Sequence, residues 1–132
     1  AEYSDMSLEQ ALEDIILDAY SSAPRILSAT SIGSDWYDSS WFGKFAHPAD
    51  SSDWIYSLRL GWVYVAPSGT PSGAWFYSSK LGAWLWSNSE MNGFYYQDGR
   101  NTWVYILQPE GTDTPGAWLN YMDENQWEFV TP

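Results

Sequence analysis

Trp54-Ile55-Tyr56-Ser57-Leu58-Arg59-Leu60-Gly61-Trp62-Val63-Tyr64-Val65 carries an aromatic residue at every second position on both sides of a Gly-containing connection. Alternation of this kind, broken by turn residues, predicts a β-hairpin with a loop longer than two residues. The pattern returns three times. Trp75-Phe76-Tyr77 leads through Leu81-Gly82 to Trp84-Leu85-Trp86, and Phe94-Tyr95-Tyr96 leads through Asp98-Gly99 to Trp103-Val104-Tyr105. Trp118-Leu119-Asn120-Tyr121 then leads through Asp123-Glu124-Asn125 to Trp127-Glu128-Phe129. Four aromatic hairpins thus recur about every twenty residues, one supersecondary unit per period.

Side chains at i and i+2 of a strand share a face. One face should therefore carry Trp54, Tyr56, Trp62, Tyr64, Trp75, Tyr77, Trp84, Trp86, Trp103, Tyr105, Trp118 and Trp127, with Phe94, Tyr96 and Phe129 beside them. The intervening Ile55, Val63, Val65, Phe76, Leu85, Val104, Ile106 and Leu119 point the other way. Both faces are apolar, whereas an antiparallel sheet with one side in water normally has a polar face. What covers each face is the functional question.

Composition narrows the answers. The 132 residues suffice for one domain with its own core. A net charge of −12, with only five Lys and Arg, argues against nucleic acid or an anionic membrane as partner. No apolar run approaches the roughly eighteen residues of a membrane span, so no membrane insertion is expected. Cys is absent, which removes disulfides and thiolate metal sites. The chain begins at the small residue Ala1, and an acidic, aromatic, Ser-rich composition suits the cell exterior. The expectation is a mature chain after signal-peptide removal, located outside the cell or on its surface.

Residues 1–24 read as an N-terminal helix and its cap. Ser7 and Gln10 form a capping box, and Leu8, Ala11, Leu12, Ile15, Ile16 and Ala19 make one apolar stripe. Pro24 stops the helix, and the stripe is expected to dock on the aliphatic face of the sheet. Residues 25–53 read as a connecting region holding a first aromatic motif, Trp41-Phe42-Gly43-Lys44-Phe45, with Ser28 to Asp35 as loop. Residues 54–132 are the hairpin repeats. The expected fold is mainly β: a meander of eight or nine short strands, curled or barrel-like, with one amphipathic helix.

The motifs Trp41-Phe42-Gly43-x-Phe45, Trp54-Ile55-Tyr56, Leu60-Gly61-Trp62-Val63-Tyr64-Val65, Trp75-Phe76-Tyr77 and Leu81-Gly82-Ala83-Trp84-Leu85-Trp86 resemble an aromatic module. That module lies near the C-terminus of many exported, mostly uncharacterised proteins of Verrucomicrobia-type bacteria, and the resemblance spans roughly residues 36–130. It implies export and repeated β-hairpins, and implies no activity. A weaker architectural similarity to the aromatic hairpins of choline- and glucan-binding wall proteins lacks their consensus, so no ligand residue is carried over from it.

Catalytic chemistry finds little here. His47 is the only His, and a Ser-His-Asp arrangement would depend on it, but before Pro48 in a polar loop it reads as plain surface. The acids of Asp98-Gly99 and Asp123-Glu124-Asn125 sit where hairpin turns want them. Asp35 with Asp38 and Asp50 with Asp53 are weak Ca²⁺ candidates without a complete loop signature. No catalytic residue, metal or cofactor is assigned.

The aromatic face leaves non-covalent association as the expected function. A sheet of eight strands is about 38 Å wide, and a 14-residue helix about 21 Å long cannot cover it. The leading reading is a structural protein that associates with copies of itself through aromatic faces and sheet edges, at the cell surface or in extracellular filaments. The alternative is a carbohydrate-binding module that stacks extracellular glycans on Trp and Tyr. A small glycoside hydrolase using paired carboxylates ranks last.

Overall fold

A computed structural model describes residues 27–48, 53–67, 69, 73–111 and 113–132. The expected N-terminal helix lies outside these residues. Eleven strands follow in chain order: β1 (Ala29–Gly33), β2 (Trp36–Ser39), β3 (Gly43–Ala46), β4 (Trp54–Ser57), β5 (Gly61–Val65), β6 (Ala74–Ser78), β7 (Ala83–Ser87), β8 (Phe94–Gln97), β9 (Thr102–Leu107), β10 (Ala117–Tyr121) and β11 (Trp127–Val130). Each pairs antiparallel with the next, giving one meander sheet in the order β1 to β11. β1 and β11 do not pair, so the sheet is not closed.

Two expectations are corrected: eleven strands stand where eight or nine were expected, and residues 29–33, read as loop, form β1. The first aromatic motif belongs to a hairpin of β2 and β3. Ala29-Thr30-Ser31-Ile32-Gly33 has no aromatic alternation, and four of its five residues are exposed. Its strand character comes from pairing with β2, with a bulge between Ser31 and Gly33. Its local signal is limited to the β-branched Thr30 and Ile32, set among Ala, Ser and Gly.

Five hairpin turns share one construction. Ser39–Gly43, Ser57–Gly61, Ser78–Gly82, Gln97–Asn101 and Tyr121–Asn125 each end on a Gly or Asn with φ of 94°, 77°, 62°, 55° and 54°. In three of them a buried serine closes the strand and accepts turn N–H groups. Ser39 Oγ accepts from the Phe42 N–H at 3.1 Å, and Ser57 Oγ accepts from the Arg59 and Leu60 N–H groups at 3.2 Å. Ser78 Oγ accepts from the Leu81 N–H at 3.1 Å. Ser, Gly and Asn are turn formers for these physical reasons: a short side chain that bonds nearby backbone, and tolerance of positive φ.

The sheet is tightly curled. Six strand spacings separate β5 from β11, about 29 Å on a flat sheet, yet a Cβ on Gly61 would lie 3.0 Å from the Pro132 carbonyl carbon. The Gly116 N–H, in the connection before β10, donates to the Leu58 carbonyl in the β4–β5 turn at 2.8 Å. These two connections belong to opposite rims of the meander, so the sheet coils as well as curls.

The concave side is the core. Ile55, Val63, Val65, Phe76, Leu85, Val104, Ile106 and Leu119 are all at most 3% exposed. The β2–β3 turn folds in over them: the Trp41 ring lies 6.0 Å from Phe76 and 6.5 Å from Tyr95, and Phe42 lies 5.4 Å from Phe76. His47, expected as surface, is buried because it continues the inward alternation of Phe45. Across the later turns the Arg100 guanidinium covers the Tyr121 ring at 3.6 Å and pairs with Asp123 and Glu124. The Tyr121 hydroxyl donates to Gln97 Oε1 at 2.6 Å.

Two stability tests follow from this core. Ser57→Ala should lose about 1–3 kcal/mol in urea unfolding, because two turn N–H groups lose their acceptor. Burial raises the pKa of Tyr95, with Arg59 opposing weakly. The neutral phenol is therefore favoured only in the folded chain, and stability should fall as pH rises above about 10, by about 1.4 kcal/mol per pH unit for this group. Tyr95→Phe should remove that share of the alkaline loss; an unchanged pH slope would contradict it.

Candidate functional site

The convex side of β4 to β11 carries the aromatic residues that the alternation placed together. Trp54, Trp62, Trp75, Trp84, Trp103, Trp118 and Trp127 are exposed, from 36% at Trp103 to 51% at Trp127. Tyr56, Tyr64, Tyr77, Trp86 and Tyr105 stand on the same face, half-buried among them. All twelve expected face residues are thus on one surface. Phe94 and Phe129, both exposed, and the half-buried Tyr96 join them.

Register makes the face continuous. Trp54 stands opposite Tyr64, and Tyr64 opposite Tyr77, which in turn faces Trp84. Trp75 stands opposite Trp86, Trp86 opposite Tyr96, and Tyr96 opposite Trp103. Within the hairpins the tyrosine tends to sit lower and buttress the indole. Centroid distances are 5.4 Å for Tyr56–Trp62 and Tyr77–Trp84 and 5.5 Å for Tyr96–Trp103, with interplanar angles of 66–74°. Edge-to-face pairs of this geometry contribute about 0.5–1.5 kcal/mol each. The indoles are consequently held in fixed orientations with part of each ring in water.

The strand positions of this surface carry no charge from β4 to β10: none is Asp, Glu, Lys or Arg, although the chain carries −12 overall. Two shallow depressions mark it. One, of about 370 Å³, lies among Ala66, Trp75, Trp84 and Asp98. The other, of about 340 Å³, lies among Trp75, Trp86, Tyr96 and Trp103. Trp75 is the wall between them, and Asp98 is the one carboxylate lining either.

The calcium candidates do not converge. Asp35 sits in the β1–β2 turn at φ 65°, Asp38 is on β2, and Asp53 precedes β4; Asp50 lies outside the described residues. Among the described residues no three acids or histidines gather as a metal would need. No described helix is long and apolar enough to cross a membrane.

No family model, curated protein or solved structure matches this chain.

The division between faces can be measured. Trp75→Ala or Trp103→Ala should cost about 1–2 kcal/mol of folding stability, since more than a third of each residue is already in water. Phe76→Ala, one residue from Trp75, should cost about 3–5 kcal/mol by emptying the concave core. Equal losses at positions 75 and 76 in chemical denaturation would show that the face is core rather than surface.

Proposed function

We propose that this chain is a non-catalytic association module, and that copies of it join through the convex aromatic face and the sheet edges in an extracellular or cell-surface structure. The observation that carries the reading is the aromatic surface running across eight strands, with no charge at its strand positions from β4 to β10. Monomeric proteins rarely leave an apolar patch larger than a few hundred Å² in water, and Trp and Tyr concentrate where proteins meet. The indoles are pre-oriented by their tyrosine neighbours, so burying them costs little further side-chain freedom.

The edges support the same reading. β1 has no charged residue or proline, and β11 has a single charge, Glu128. Proteins that avoid edge pairing usually place charge, proline or bulges there; β1 has only its bulge at Ser31/Gly33. Two different edges joining head to tail would build a filament or a ring rather than a closed dimer. The resemblance to exported hairpin modules agrees with an extracellular setting.

A second reading, glycan binding, rests on the two depressions around Trp75. Indole faces suit the apolar faces of sugar rings, and the Asp98 carboxylate would accept hydrogen bonds from their hydroxyls. Glycoside hydrolysis asks for two carboxylates across the bond, so a binding role fits these depressions better.

Salt separates the readings. Repulsion between copies at −12 each reaches about 8 Å at physiological ionic strength and less in seawater. Light scattering should show the mass rising with protein concentration and with salt, and Trp75→Ser with Trp103→Ser should suppress the rise. A chain that stays monomeric at high concentration and high salt overturns self-association. If Trp fluorescence then shifts on adding a neutral oligosaccharide, and Trp75→Ala abolishes the shift, the glycan reading replaces it.

A further inference from the structure

A third cavity lies away from the aromatic face, where the coil brings opposite rims together. It encloses about 290 Å³ between the β2–β3 turn, the β4–β5 turn and the connection from β9 to β10. Asp38, Ser40, Lys44, Arg59, Gln108 and Thr114 line it. Two of the chain's five cations therefore meet at one pocket in a protein with seventeen acids.

The two cations are not equivalent. Lys44 is paired with Asp113. Arg59 is half-buried, and its Nη2 donates to the neutral Gln108 Oε1 at 3.2 Å. Among the described residues no carboxylate lies within ion-pair distance of its guanidinium. A guanidinium offers five N–H donors in a planar fork that matches a carboxylate. Among the described residues, then, this half-buried cation has no anionic partner, and a partly buried cation without one is costly. Room for it is built into the fold: a Cβ on Gly43 would stand 2.8 Å from Arg59 Nε and 3.1 Å from Cζ, and Gly43 has φ 94°.

The rest of the lining says what accompanies the carboxylate. Asp38 accepts hydrogen bonds, and Ser40 and Thr114 bring hydroxyls, so hydroxyl groups on the ligand would find partners. Asp38 in the wall and the Lys44–Asp113 pair leave the site little net charge, which disfavours a phosphate dianion. The volume is at the lower end for small-molecule sites, about 300–1,000 Å³, enough for one ring.

We propose that this cavity binds the uronate unit of an acidic sugar, with Arg59 holding its carboxylate and Asp38 accepting from its ring hydroxyls. The site shares no residue with the aromatic face, so it stands or falls separately from self-association.

The test titrates the full chain with D-glucuronate, D-glucose and glycine, following the Arg59 Nε–Hε resonance by NMR and the affinity by calorimetry. Glucuronate should shift that resonance and bind at least about tenfold more tightly than either of the others, the worth of one charge-assisted pair plus its hydroxyl contacts. Arg59→Gln, shown folded by near-UV circular dichroism, should lose at least about tenfold for glucuronate, while Trp75→Ala should bind it as the wild type does. Should Arg59→Gln not fold, the wild-type Arg59 resonance decides alone. The proposal is overturned by an unmoved Arg59 signal, by glucose or glycine binding as well as glucuronate, by a folded Arg59→Gln variant of unchanged affinity, or by loss of binding in Trp75→Ala.

Discussion

A sheet with two apolar faces can hide only one of them by curling, and the side chains of this chain decide which. Most inward positions are small or aliphatic: Ser57, Ser78, Ser87, Ala74 and Ala117 share the concave face with Ile55, Val63, Leu85 and Val104, and the rings of Phe45, Phe76, Tyr95 and Tyr121 fill the space between them. Outward positions are indoles and phenols. Every β4 to β9 strand sets two rings outside against at most one inside, so the outer face is the wider one, and such strands side by side curve. Trp41 and Phe42 then close the concavity against Phe76 and Tyr95. Everything else in the structure, including the exposed aromatic surface, follows from that choice of inside.

The same curvature distributes charge. Strand positions of β4 to β10 are filled by apolar and uncharged polar groups, so acids and cations are displaced to turns, connections and the outer strands β2, β3 and β11. There the coil pairs them across long sequence separations, as in Lys44 with Asp113 and Arg100 with Asp123 and Glu124. These pairs are exposed and worth little individually. Their geometric roles differ: Arg100 ties two neighbouring turns of one rim, whereas Lys44–Asp113 sits where opposite rims of the coil meet, beside the pocket at Arg59. A convex surface uncharged at its strand positions from β4 to β10 and bordered by acidic rims also sets the balance between attraction at contact and repulsion at a distance.

Much of this was legible in the sequence, and the limit is physical. Period-two alternation fixed which residues share a face, and Trp54 through Trp127 fell together on one surface because strand geometry leaves them no other arrangement. The Ser…Gly spacing of Ser57 and Gly61, repeated at Ser39 and Ser78, was present in the sequence as a turn signal, though its hydrogen bonds needed coordinates to be seen. Strand β1 was not legible, since Ala29, Ser31 and Gly33 dilute the strand-forming Thr30 and Ile32, and pairing with β2 decides. His47 was misread for a related reason: a polar loop residue by composition, it is buried by continuing the inward side of β3.

By itself, then, the sequence determined the strand alternation, the hairpin turns and the two chemically distinct faces, all of which are local properties read within a few residues. Tertiary structure alone decided which apolar face is core and which meets water, because only the curl creates a concave side, which the aliphatic face and the Trp41 indole fill. It also decided that residues as distant as Lys44, Arg59 and Gln108 meet at one cavity, a juxtaposition set by the coil of the whole sheet and invisible to any local pattern.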